Sequence, residues 1–273
     1  QRNGGRVGAA KAPDAIRGAL YKFTPDAESP RSSEALWRRV VDLGDVVVTG
    51  ELAADQAALG EVVTELLERS IIPIVLGGGH ETAYGHFLGY VGARRKVGII
   101  NVDAHLDVRE LVDGKGHSGS PFREACEDPS KVCLGYSVLG VEPQSCAAAH
   151  LEYLRGRGGE CLFRSGVSNR EIDRMIGGVG VATLLTLDLD AVDEAFAPGV
   201  SAPCAGGLST DLWLHAAWAG GRNPQVASFD IVECNPSLDI DGRTARLAAL
   251  TVWQIVKGIG ERLDGARRPR LGF

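Results

Sequence analysis

The sequence predicts an α/β fold: a parallel sheet with helices on both faces. Three observations carry the prediction. Short, nearly continuous apolar runs recur along the 273 residues, as expected of strands buried on both faces. Segments with apolar residues three and four apart separate them, as amphipathic helices do. Several apolar runs also stop abruptly at Gly, His, Asp or Glu, and in such sheets ligands bind beyond the carboxyl ends of the strands.

Taken in chain order, Val46-Val47-Val48 predicts a short strand. Residues 55–69 (DQAALGEVVTELLER) repeat apolar positions at helical spacing and predict a helix. Residues 71–76 (IIPIVL) predict a strand that ends at Gly77-Gly78-Gly79, and residues 96–102 (KVGIINV) one that runs into Asp103. The polar, Gly-rich stretch 113–120 (DGKGHSGS) predicts a loop. Residues 159–163 and 183–189 predict further strands, 211–219 a helix, 226–231 a last strand and 243–261 a long closing helix. With no internal repeat and no long linker, residues 1–273 are expected to form a single domain.

Composition narrows the function. Apolar residues make up 44% and charged residues 23% of the chain, too balanced for disorder. The net charge of −6 argues against nucleic acid or an anionic membrane as the main partner. No apolar run is long enough to span a bilayer. The first residues, QRNGGRVGAAKAP, hold neither an apolar signal core nor an initiator Met, so residues upstream and a cytoplasmic location are expected. The six cysteines (Cys126, Cys133, Cys146, Cys161, Cys204, Cys234) form no CxxC pair and are expected as reduced structural thiols.

The strand ends share one chemistry. The run 71–76 leads to His80-Glu81, 96–102 to Asp103-Ala104-His105-Leu106-Asp107, and 183–187 to Asp188-Leu189-Asp190. Residues two apart in an extended chain share a face, so Asp103, His105 and Asp107 point one way, and Asp188 and Asp190 likewise. Ala104, Leu106 and Leu189 suit the packed side. Four carboxylates in one crevice repel strongly, and two divalent cations would neutralise them. Oxygen-rich ligation with two imidazoles suits Mn²⁺ better than zinc, and a two-metal site can hold a bridging hydroxide at neutral pH. Taken singly, a DxD pair can be a surface feature and GGGH only a turn; their co-occurrence with DxHxD points to a dinuclear site.

Gly78-Gly79-His80-Glu81, Asp103 to Asp107, Leu187 to Asp193 and Ser228-Phe229-Asp230 through Pro236 resemble the signatures of the ureohydrolase (arginase/agmatinase) family. The resemblance extends from Gly5-Arg6-Val7-Gly8 to the closing helix. It implies a three-layer α/β/α fold with a mainly parallel eight-stranded sheet, a trimeric or hexameric homo-oligomer, and two Mn²⁺ per chain. By matching position it implies His80, Asp103, Asp107 and Asp188 on the first metal and Asp103, His105, Asp188 and Asp190 on the second, with Asp103 and Asp188 bridging.

The substrate loops depart from the arginase pattern. Ser118, in His117-Ser118-Gly119-Ser120-Pro121-Phe122, stands where arginases and agmatinases usually place a His, and Ser201-Ala202 replaces their Gly-Thr. HLDVR, SGSPF and PGVSAP together resemble the formimidoylglutamase branch. That implies hydrolysis of N-formimino-L-glutamate to L-glutamate and formamide. The alternative within the family is a guanidino hydrolase of the agmatinase or guanidinobutyrase type, releasing urea. Outside catalysis, the alternative is a metal-binding oligomer without activity, but no ligand is missing. Under the resemblance Asp107 orients the nucleophile, and Glu233 binds and stabilises the amidinium. Arg109 takes a substrate carboxylate through its planar fork, Ser118 and Ser201 lie at the substrate, and His117, or water through Ser118, supplies a proton to the leaving amine. The plain alternatives are a solvated Arg109, a structural Glu233 and an ordinary loop His117.

Overall fold

Strands β2 (Val97–Val102) and β5 (Thr183–Asp188) are buried at every position, so each needs a covering layer on both faces. The computed structural model, which describes residues 4–267, supplies both layers. With β1 (Ile74–Leu76), β3 (Cys133–Val141), β4 (Cys161–Phe163) and β6 (Val226–Val232) these strands form one sheet, ordered β1-β6-β5-β2-β3-β4. Every pairing in it is parallel.

Successive side chains of a strand face opposite ways, and the cores divide accordingly. Leu185 and Leu187 of β5 join the core under α1 (Ala12–Leu20), α7 (Asn169–Gly177), α8 (Thr210–Arg222) and α9 (Arg243–Arg267). Leu184 joins the core under α3 (Leu52–Glu68), α4 (Thr82–Gly92), α5 (Pro121–Glu127) and α6 (Ala148–Gly156). The three layers expected from the sequence are therefore present, and the predicted helices and inner strands fall within a few residues of their places.

Two expectations need correction. The sheet has six strands among the described residues, not eight. Val46-Val47-Val48 is not a strand: Val47 and Val48 are exposed and the run has no ladder partner. Apolar β-branched residues favour extended backbone, but a strand exists only where its N–H and C=O groups find a neighbour. A further short helix, α2 (Pro30–Trp37), packs on α9.

The ends of β1, β6, β5 and β2 lie side by side, so the residues after Leu76, Val232, Leu187 and Val102 converge on one edge of the sheet. The run after β1 stays close to its neighbour: the Gly77 N–H donates to the Ile231 carbonyl at 2.9 Å. A Cβ on Gly77 would lie 2.8 Å from Val232 Cγ1, which explains why glycine stands there.

Candidate metal centre

His80 follows β1, Asp103, His105 and Asp107 follow β2, and Asp188 and Asp190 sit at the end of β5. His80 Nδ1 lies 3.2 Å from Asp103 Oδ2, 3.0 Å from Asp107 Oδ2 and 2.9 Å from Asp188 Oδ2. His105 Nδ1 lies 3.4 Å from Asp103 Oδ1 and 3.1 Å from Asp190 Oδ2. Two groups result, each with ligand atoms close enough for one ion: His80, Asp103, Asp107 and Asp188, and Asp103, His105 and Asp190. The first matches the set the resemblance implied. The second holds three of its four residues. Asp103 gives one oxygen to each, while Asp188 Oδ1 accepts the Asp190 N–H at 2.8 Å.

A buried hydrogen-bond chain fixes how His80 presents its ring. Thr186 Oγ1 donates to Asp230, so it accepts from His80 Nε2, 2.9 Å away. With its proton on Nε2, the ring turns the Nδ1 lone pair toward three carboxylate oxygens. His80 Nδ1 and Asp190 Oδ1 are both buried without a hydrogen-bond partner. Lone pairs facing lone pairs in a dry site require a positive charge between them. Oxygen and imidazole donors fit a divalent ion such as Mn²⁺. The chain continues beyond Thr186: Asp230 Oδ2 lies 2.8 Å from His86 Nδ1, and all four residues are buried. On the other side, Asn101 donates to Asp103 Oδ2 at 2.8 Å, and Phe122 meets the His80 ring edge-on at 5.0 Å.

The ionisation of the protein groups reflects this crowding. Burial, with Asp190 and Asp103 nearby, pushes Asp188 well above the usual carboxylate range. Burial and Asp103 raise Asp107. Burial, reinforced by Asp103 and Asp107, lifts Asp190 to about 6. Burial opposes charge on Asp103 too, but His105 and His80 hold its pKa low. The charge on Asp190 holds His105 far above the ordinary imidazole value. For His80 burial works against the proton, yet Asp103, Asp107 and Asp188 prevail and raise its pKa.

Glu233 stands one residue beyond β6. Its N–H donates to Gly78 O at 2.9 Å, and its carboxylate accepts the His80 N–H at 2.8 Å. Burial, with Glu81 and Asp190 close, pushes its pKa to about 8. Glu233 and Asp107 both adopt positive φ, +66° and +44°, a conformation that costs non-glycine residues energy and gathers at functional sites.

The remaining candidates lie in loops. Arg109 is exposed, and its N–H donates to Gly119 O at 2.8 Å. That bond folds the 107–120 loop back so that half-buried Ser118 lies beside it in the chain. His117 is buried, and its ring serves its own loop: Nε2 faces Glu110 O at 3.0 Å and Nδ1 accepts the Gly119 N–H at 3.1 Å. Ser201 Oγ accepts the Arg6 N–H at 2.7 Å. Sequence reasoning misses Thr186, Asp230 and His86, although Asp230 lies within the 228–236 motif.

The arginase family model matches residues 1–257. The chain is 41% identical over 271 residues to the formimidoylglutamase of Rhodococcus jostii, covering 94% of this chain and 81% of that protein. It is 36% identical over 259 residues to the formimidoylglutamase of Geobacillus thermodenitrificans, covering 91% and 77%. Among solved structures, the Trypanosoma cruzi formiminoglutamase with two Mn²⁺ superposes with a TM-score of 0.87 at 30% identity, covering 96% of this chain and 89% of that one.

Proposed function

The chain belongs to the arginase family, and from that premise we propose that it is a dinuclear manganese formimidoylglutamase, hydrolysing N-formimino-L-glutamate to L-glutamate and formamide. The observation that carries the reading is the double ligand group around Asp103, with the Glu233 carboxylate accepting the His80 N–H beside it. The two-metal chemistry would be supplied by Mn²⁺ held at His80, Asp103, Asp107 and Asp188, and at Asp103, His105 and Asp190 with Asp188 as the second bridge. When bound, such a pair supplies a water acidic enough to act as nucleophile near neutral pH.

The protein's own groups do the rest. Glu233 accepts the amidinium of the substrate in a charge-assisted hydrogen bond. Asp107 orients the attacking water, its geometry fixed by the turn that gives it positive φ. Arg109 binds a carboxylate of the glutamate end through its guanidinium fork. Oxygen–carbon bond formation is followed by cleavage of the carbon–nitrogen bond to glutamate, whose nitrogen must gain a proton. Both His117 ring nitrogens face loop backbone atoms, so we assign that proton to water at Ser118. Substrate contacts rest on Arg109, Ser118, Ser201 and Glu233; the Ser201 hydroxyl accepts the Arg6 N–H and keeps its own proton to donate. Assembly into a trimer or hexamer in the cytoplasm completes the reading, with no nucleic acid or membrane partner; among the described residues no helix is long and apolar enough to cross a membrane.

Incubating Mn²⁺-loaded protein with formiminoglutamate, arginine, agmatine and guanidinobutyrate tests the proposal. Formamide should appear from the first at a rate far above urea release from the others. Faster urea release from any guanidino substrate would overturn it.

A further inference from the structure

Away from the metal centre, two of the six cysteines meet at one small cavity. Cys126 lies near the end of α5 and Cys133 opens β3. The residues between them form a tight turn. The Lys131 N–H returns to Asp128 O at 3.2 Å, Lys131 takes a φ of +54°, and Asp128 Oδ1 accepts the Ser130 N–H at 2.9 Å. Tyr84 anchors the same carboxylate at 3.1 Å. The turn brings both cysteines to one cavity, where each thiol shifts the ionisation of the other. Both line a cavity of about 80 Å³ with Tyr136, Tyr153 and Arg157, and neither is sealed from solvent. Arg157 is fixed beside them, donating to Cys126 O at 2.9 Å with its guanidinium 4.9 Å above the Tyr153 ring.

We propose that Cys126 and Cys133 form a peroxide-oxidisable dithiol site that closes to a disulfide between α5 and β3. The oxidant is a hydroperoxide, and the cavity has room for the smallest of them, since a water occupies about 30 Å³ in the liquid. Cys133 is the attacking sulfur. The neighbouring Cys126 thiol holds its pKa below the usual thiol value against the effect of burial, with Arg157 adding positive charge. Its thiolate takes one peroxide oxygen: an S–O bond forms, the O–O bond breaks, and the leaving hydroxide is protonated to water. Cys126 then attacks the sulfenic sulfur. The S–S bond forms, the S–O bond breaks, and hydroxide leaves with the Cys126 proton as a second water. One peroxide is reduced and two thiols are oxidised. The bond would tie α5, whose Phe122 abuts His80 and stacks on Tyr136 at 4.4 Å, directly to the sheet.

Peptide mapping of the intact protein tests this. After hydrogen peroxide treatment and blocking of free thiols, trypsin cleaves after Arg123, Lys131 and Arg155, placing Cys126 and Cys133 on separate peptides, 124–131 and 132–155. The linked pair should accumulate, disappear on reduction, persist in Cys146→Ser and be absent from Cys126→Ser and Cys133→Ser. In Cys126→Ser a sulfenic-acid probe should label Cys133 about tenfold more than it labels Cys126 in Cys133→Ser. Recovery of both peptides unlinked, as free or separately over-oxidised thiols, or linkage through Cys146, would overturn the proposal.

Discussion

Asp103 lends Oδ2 to the group around His80 and Oδ1 to the group around His105. Asp103→Ala therefore removes a ligand from both, and metal analysis of the purified variant should find neither site filled; two tightly held Mn²⁺ ions would sink the bridging role. Asp190→Ala takes a ligand only from the second group and should leave one ion. Arg109 makes a different kind of contribution. A charge-assisted hydrogen bond contributes roughly 1.5–3 kcal/mol, so Arg109→Ala should lower kcat/KM for formiminoglutamate by about one to three powers of ten with both metals retained. Arg109→Lys should recover only part, because an ammonium lacks the planar fork. Equal losses on an amidine without carboxylates would show that Arg109 is not the carboxylate clamp. The two His/Asp clusters were legible in the sequence because every member lies within five residues of a strand end. His117 shows the limit: a histidine in a loop carries no sign of whether its nitrogens face substrate or, as here, its own backbone.

At the scale of elements, the His80–Thr186–Asp230–His86 chain joins the end of β1 to β5, β6 and α4. No local pattern announces it, since its members come together only when three strands and a helix pack. Outer partners that fix a ligand's tautomer commonly change metal affinity by about 10–100-fold. Asp230→Asn should weaken binding of one Mn²⁺ on that scale in a calorimetric titration while the circular dichroism spectrum stays unchanged; unaltered affinity would reduce Asp230 to packing. The missed elements have physical causes too. Strand β3 is interrupted by Gly135 and Gly140, and its first half is largely exposed, so it lacks a continuous apolar run. Helix α4 carries Gly85, Gly89 and Gly92, poor helix formers. They are there for contact: a Cβ on Gly89 would fall 2.2 Å from Val63 Cγ1 of α3. Helix α7 does carry a start signal, Ser168 accepting the Glu171 N–H three residues on, but its short length obscured it.

For the molecule as a whole, the alternation of apolar runs and helical periods was enough to predict the layered parallel fold, because burial on both faces leaves strands little else to show. Strand number was not legible: Val46-Val47-Val48 has the residues of a strand without the neighbour. The charged centre makes stability depend on pH in a defined direction. Glu233 keeps its proton to about 8 and Asp190 to about 6 in the folded chain, both above their unfolded values, and His80 is shifted the same way. The metal-free folded state thus binds more protons than the unfolded one, and its stability falls as pH rises through that window. Asp103, held low, acts only in acid. Metal-free protein should melt progressively lower between about pH 5 and about pH 9, whereas saturating Mn²⁺, which favours the deprotonated ligands, should reverse the trend. A metal-free melting temperature that rises over this range would contradict the ionisation pattern.

Formamide release from formiminoglutamate, followed while Mn²⁺ is added back to chelator-stripped protein, tests the central claim most directly. The two ligand groups sharing Asp103 predict negligible turnover without metal and a plateau at two Mn²⁺ per chain. Full turnover in the stripped protein, or a plateau at one ion, would contradict a dinuclear centre.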